Sequence, residues 1–161
     1  MSKWDWFVTR SGHFISYTDQ QAGLLELVEI KKNGTITKLL EEKMDFEEFQ
    51  VSSSGDKLVL EVNGYENGRD QILLYDLNSG TLRQLTFNAQ FYEPTVSPDG
   101  KKIALVSLKN GAQNIAELNL NGTGSLHWLT SNEQYSGDPD WSPTEEYRYS
   151  WWTWRPDPKR L

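Results

Sequence analysis

Short stretches of alternating apolar and polar residues run along this chain, and each is closed by a turn signal. In Val96-Ser97-Pro98-Asp99-Gly100, proline sets φ, aspartate bonds its own backbone and glycine accepts a positive φ. Lys101 to Ser107 follows as a strand run, Asn110-Gly111 turns, Asn114 to Leu120 reads as a third strand, Asn121-Gly122 turns again, and Ser125 to Thr130 is a fourth. The stretch from Phe91 to Thr130 is therefore expected to form one four-stranded antiparallel unit.

The unit recurs. Gly55 and Gly12 close turns upstream of Gly100, and Trp141-Ser142-Pro143 repeats Val96-Ser97-Pro98 downstream, at steps of about 43 to 45 residues. The third strand recurs as Leu24 to Ile30, Gln71 to Leu77 and Asn114 to Leu120. The fourth recurs as Thr35 to Leu39, Thr81 to Leu85 and Ser125 to Leu129. Four strands at this period predict the blades of a β-propeller. Leu85-Thr86, Pro94 and Val96-Ser97-Pro98-Asp99-Gly100-Lys101-Lys102-Ile103-Ala104 resemble the PD40 (WD40-like) repeat of TolB-type propellers. Leu129-Thr130 and Asp138-Pro139-Asp140-Trp141-Ser142-Pro143 resemble the opening of the next repeat. The resemblance covers roughly residues 5 to 146, and in the first repeat the proline and aspartate of the turn are replaced. It implies an all-β propeller fold. For function it implies a range: periplasmic interaction proteins, sugar- or peptide-binding modules, and gating domains on prolyl-oligopeptidase-like enzymes.

The expected layout is a single propeller-like domain over residues 1–161, with blade one at about 4–40, blade two at about 49–86 and blade three at about 93–130. A half blade with an aromatic tail occupies about 138–161. The acidic run Glu41 to Glu48 is expected to be a solvated loop between blades one and two. A closed propeller has about four to eight blades, so three and a half leave open flanks. Of the seven tryptophans, Trp4 and Trp6 lie in the first strand and Trp141, Trp151, Trp152 and Trp154 in the last two; Trp128 is internal. Large aromatic anchors at both ends suggest that the ends pack on something. Three partners are open: each other, further sequence, or a second copy, which would also hide the sheet edges. Self-association into a homodimer is the expectation.

The net charge of −7 argues against nucleic acid or an anionic membrane surface as partner. No apolar run is long enough to span a bilayer. Without cysteine there is neither a disulfide nor a thiolate metal site. The first residues carry no signal pattern, which implies the cytoplasm if Met1 is the native start and the periplasm or secretion if a signal peptide has been removed.

Candidate chemistry is sparse. His13 and His127 fall at ordinary surface strand positions, with no spacing that makes a zinc site. No G-x-S-x-G elbow occurs, and Gly122-Thr123-Gly124 lies between two strands, so it is a hairpin turn rather than a dinucleotide loop. No catalytic residue, metal or cofactor is assigned, and the chain is not expected to be an enzyme. Asp138 and Asp140 flank Pro139, and Asp45 with Glu47 and Glu48, and Glu93, occupy the matching stretches of earlier repeats. If the strands run as in related propellers, these acids gather at one mouth of the ring, where they would suit a Ca²⁺ ion or a basic segment of a partner. Trp4, Trp6, Trp141, Tyr149, Trp151, Trp152 and Trp154 are the candidate interface or ligand aromatics. The leading expectation is a non-catalytic scaffold binding a protein or peptide at the ring mouth. The alternatives are a carbohydrate-binding module using the terminal aromatics and a propeller fragment of a prolyl-oligopeptidase-like enzyme.

Overall fold

The computed structural model describes residues 3–8, 13–19, 24–109, 111–131, 136–142 and 147–150. Fourteen strands and no helix occur among them. The first sheet is β1 (Lys3–Val8), β2 (His13–Asp19), β3 (Leu24–Ile30) and β4 (Ile36–Lys43), in chain order and antiparallel throughout. The second is β5 (Asp45–Val51), β6 (Lys57–Glu66), β7 (Arg69–Asp76) and β8 (Thr81–Gln84). The third is β9 (Phe91–Val96), β10 (Lys102–Lys109), β11 (Ala112–Asn119) and β12 (His127–Trp128), and β13 (Gly137–Trp141) pairs with β14 (Tyr147–Ser150).

Side chains alternate across each sheet, and both faces of the middle sheets are buried, which is why β6, β7, β10 and β11 read as near-continuous apolar runs. Leu58, Leu60, Val62, Leu73 and Tyr75 pack toward Leu27 and Leu40 of the first sheet. Their neighbours Val59, Ile72 and Leu74 pack the other way, against Phe91, Ile103, Leu105, Ala116 and Leu118 of the third. Ala104, Val106 and Ile115 then turn toward Trp141. The core is thus a series of sheet-on-sheet layers. The first strands of successive sheets also touch, β5 on β9 and β9 on β13, so these strands form the inner edge of the stack.

Two repeated devices hold the blades. At the turn between first and second strands, Lys102 N donates to Ser97 Oγ (3.0 Å) and Ser97 Oγ donates to Asp99 Oδ1 (2.7 Å). Lys57 N, Ser52 Oγ and Asp56 Oδ1 repeat this one blade earlier, at 3.1 and 3.0 Å. The Ser97 hydroxyl, and then the Lys101 backbone N–H, hold the Asp99 carboxyl down to about 2. At the end of the fourth strand, the Thr86 hydroxyl accepts Ile72 N–H (2.9 Å) and donates to Gln71 Oε1 (2.9 Å). Thr130 does the same with Ile115 N (2.9 Å) and Asn114 Oδ1 (3.0 Å). The Leu-Thr pair of the repeat is therefore a buried ladder terminator.

Blade one lacks that terminator and corrects the expected loop. It carries Leu39-Leu40 where blade two carries Leu85-Thr86, and β4 keeps pairing with β3 to the register Leu24↔Lys43. Most of the acidic run 41–48 is therefore strand, and Met44 alone separates β4 from β5. Lys38 partners Glu26 and Glu41 across this surface. The bulge between Leu27 and Val28 leaves Leu39 out of the ladder, and its carbonyl accepts the Tyr75 hydroxyl at 2.8 Å. A second correction concerns the fourth strand of blade three. It holds only two residues, because Gly124 (φ +91°) follows a long turn in which Asn119 Nδ2 bonds Thr123 O.

Candidate functional site: an acidic mouth

The inner strands each break register near their start. The shift on β5 lies between Phe46 and Glu48, that on β9 brackets Glu93 and Pro94, and that on β13 brackets Asp138. Bulges expose backbone and re-aim side chains. Here they place Glu93 (φ +53°) and Asp138 (φ +49°) in the left-handed region, which suits aspartate better than glutamate and which residues other than glycine, asparagine and aspartate rarely adopt. Carboxylates of the preceding blade hold both turns. Glu93 N–H donates to Glu61 Oε2 at 2.8 Å, and Asp138 N–H donates to Glu93 Oε2 at 2.8 Å. The second bond explains Gly137, where an added Cβ would lie 3.3 Å from Glu93 Oε2.

Two adjoining concavities share Glu48 and Glu93. One, of about 490 Å³, is lined by Glu47, Glu48, Glu61, Asp70 and Glu93 together with Gln90, Tyr92, Leu108 and Gln113. The other, of about 390 Å³, lies along the inner strands and is lined by Glu48, Gln50, Glu93, Pro94, Thr95, Asp138, Pro139 and Asp140. Seven carboxylates face these spaces, and among the described residues no lysine or arginine lines either one. Some are held by neighbours: Asp70 accepts Gly64 N–H (2.9 Å) and Gln90 Nε2 (2.7 Å), and Glu47 accepts Asn63 Nδ2 (3.1 Å).

Glu61 is the unusual member. It is 6% exposed, on the face of β6 that looks toward blade three. Burial pushes its carboxyl up to about 7; the Glu93 N–H opposes the shift, and the negative neighbours Glu48, Asp70 and Glu47 add to it.

The structure brings Glu93, Asp138 and Asp140 into one concavity and puts Glu47 in the other. Glu48 lines both while Asp45 lines neither, and Glu61 and Asp70 complete the set; the signal for Glu61 was a lone carboxylate inside the apolar run Leu58-Val59-Leu60-Glu61-Val62. The candidate aromatics fare differently. Trp141 is buried between blade three and β13, with Nε1 donating to Thr95 O at 3.0 Å, which removes it from any open ligand face. Trp4 and Trp6 lie in β1 and Tyr149 in β14, opposite Pro139. Trp151, Trp152 and Trp154 lie outside the described residues. His127 is exposed beside Glu117, with Nδ1 at 3.2 Å from Oε1. Among the described residues, no three His, Cys, Asp or Glu side chains are arranged to hold a metal ion.

The chain matches no family model and no curated protein sequence. Solved structures do resemble it. TolB from Acinetobacter baumannii superposes with a TM-score of 0.61 at 19% identity, over 82% of this chain and 33% of that one. The acylaminoacyl peptidase of Pyrococcus horikoshii gives 0.67 at 15%, over 92% and 23%. The tricorn protease gives 0.60 at 18%, over 91% and 14%. The sheets are propeller blades. At these identities the likeness is one of fold, shared by TolB and by two peptidases. The chain spans only about a third of the TolB structure's length.

Proposed function

We propose that this chain is a non-catalytic, TolB-like propeller unit that binds a protein or peptide partner by receiving a cationic segment in the acidic mouth. The observation that supports this reading is the set of seven carboxylates on two joined concavities, with no lining cation among the described residues. Such a field raises the local concentration of positive groups and opposes negative ones. Tyr92 and Leu108 at the larger concavity add apolar contact for the stems of lysine and arginine. The test is fluorescence anisotropy with a labelled lysine- and arginine-rich peptide and an acidic peptide of equal length. The cationic peptide should bind, more weakly as salt rises, and Glu48→Gln with Asp138→Asn should weaken it about tenfold, on the order of 1 kcal/mol for charges a few ångströms away. Equal behaviour of the two peptides would remove the proposal.

Self-association belongs to the same proposal. Among the described residues β14 pairs with β13 alone, and the proposal is that its other edge takes a strand from a second copy. Light scattering behind a sizing column tests this directly; a single monomeric mass at high concentration rules it out.

A further inference from the structure

Glu61 is a carboxyl group at a joint. It projects from the middle strands of blade two, and its one hydrogen bond among the described contacts runs to the backbone of blade three, at the left-handed residue Glu93. Glu93 in turn holds the left-handed residue of the next inner strand, Asp138. Every charged group described as facing Glu61 is negative: Glu47 and Glu48 from β5, Asp70 from β7 and Glu93 from β9. Among the described residues, neighbouring β10 and β11 contribute Leu108 and Gln113 to the same space.

We propose that Glu61 is a proton-operated pin between the second and third blades: the protonated carboxyl holds the start of β9 against β6, and ionisation loosens that hold. The physical reason is the contrast between the two charge states. A neutral carboxyl keeps a carbonyl oxygen for the Glu93 N–H and brings no charge into the packed space between the blades. An ionised one accepts that N–H more strongly, but it is a buried charge with a single amide donor and four like-charged neighbours. That cost outweighs the stronger bond, and it is relieved only if water enters between the blades. The pin acts whether or not the mouth takes a ligand.

The direction of the linkage follows. In the folded chain the carboxyl titrates at about 7, against an ordinary value of 4.5. Protonation is therefore favoured by folding. Its stabilising contribution is complete below the ordinary value and is lost as pH rises through about 7. Full ionisation should lower the folding equilibrium constant roughly three-hundredfold.

The experiment is a pH titration of the ¹⁵N-labelled chain by NMR from pH 5 to 9, following the Glu93 amide. Its shift should inflect near neutral pH, and amide exchange over residues 91–96, corrected for intrinsic rates, should accelerate across the same range. Glu61→Gln keeps an oxygen for the Glu93 N–H and cannot ionise. It should abolish both effects and melt above the wild type at pH 8, the two curves converging at pH 5. A Glu93 amide with no inflection between pH 5 and 9 would overturn the proposal, and so would melting curves that stay parallel across pH. Should the variant fail to fold, the wild-type titration decides alone.

Discussion

Replacing Thr86 by valine tests the ladder terminator on which the blade repeat depends. Thr86 is 3% exposed, and its hydroxyl partners, Gln71 and Ile72, are fully buried. Valine keeps the shape and removes the oxygen. Ile72 N–H then loses its acceptor at 2.9 Å, and Gln71 Oε1 loses its donor at 2.9 Å. Gln71 keeps its Nε2 bond to Ala89 O, which fixes the side chain and prevents it from turning to find a new donor. Each unsatisfied buried group costs about 1–3 kcal/mol, so the pair should cost about 2–5 kcal/mol. That is a large part of the roughly 5–15 kcal/mol that stabilises a domain. Urea unfolding followed by far-ultraviolet circular dichroism reads it as a midpoint lowered by about 1–2 M at an ordinary slope. Thr86→Ser keeps the hydroxyl and loses one methyl, so it should cost about 1 kcal/mol. A valine variant within about 0.5 kcal/mol of wild type, or a serine variant as unstable as the valine one, would refute the assignment of the Leu-Thr pair to hydrogen bonding.

Gly122→Ala should destabilise by about 2–3 kcal/mol, from a left-handed backbone and the displacement of Arg83 from two carbonyls. The glycine has φ +72°, its added Cβ would lie 2.4 Å from Arg83 Nη1, and Arg83 bonds Asn121 O (2.7 Å) and Leu120 O (2.9 Å). In an Arg83→Ala background the same change should cost only about 1 kcal/mol, which a double-mutant cycle in urea checks. Asp99→Asn addresses acid unfolding. The folded Asp99 carboxyl lies at about 2, below the ordinary 3.8, so its stabilisation is present above that ordinary value and lost as pH falls through about 2. The variant should melt below wild type at pH 7 and show a flatter loss of melting temperature between pH 4 and pH 2; parallel profiles would count against it.

The blade architecture was legible because its punctuation is local. Pro98-Asp99-Gly100 and its counterparts determine their own turns, and the third strands repeat in step with them. The acids Glu93 and Asp138 were legible for the same reason, being one repeat apart. Glu61 and Asp70 were not, since only tertiary packing brings β6 and β7 beside the start of β9. The run Glu41 to Glu48 misled because its charges resemble a solvated loop; the missing threonine at Leu40, which lets β4 continue, was a signal of equal weight. Trp141 misled in the opposite sense. A tryptophan near an open end looks available, but its ring fills the space beside Ala104, Val106 and Ile115 within its own chain.

The layered core has a consequence for how the molecule comes apart. Three separate apolar clusters join neighbours only: blade one to two, two to three, and three to the half blade. Among the described residues no cluster spans the whole, so the free energy of this part of the stack is close to a sum over adjacent pairs, as in a linear chain of coupled units. Cooperativity then extends only as far as the coupling between pairs is strong. The end units fray first, and blades two and three, each with a neighbour on both faces, are the segments whose loss dissolves everything else.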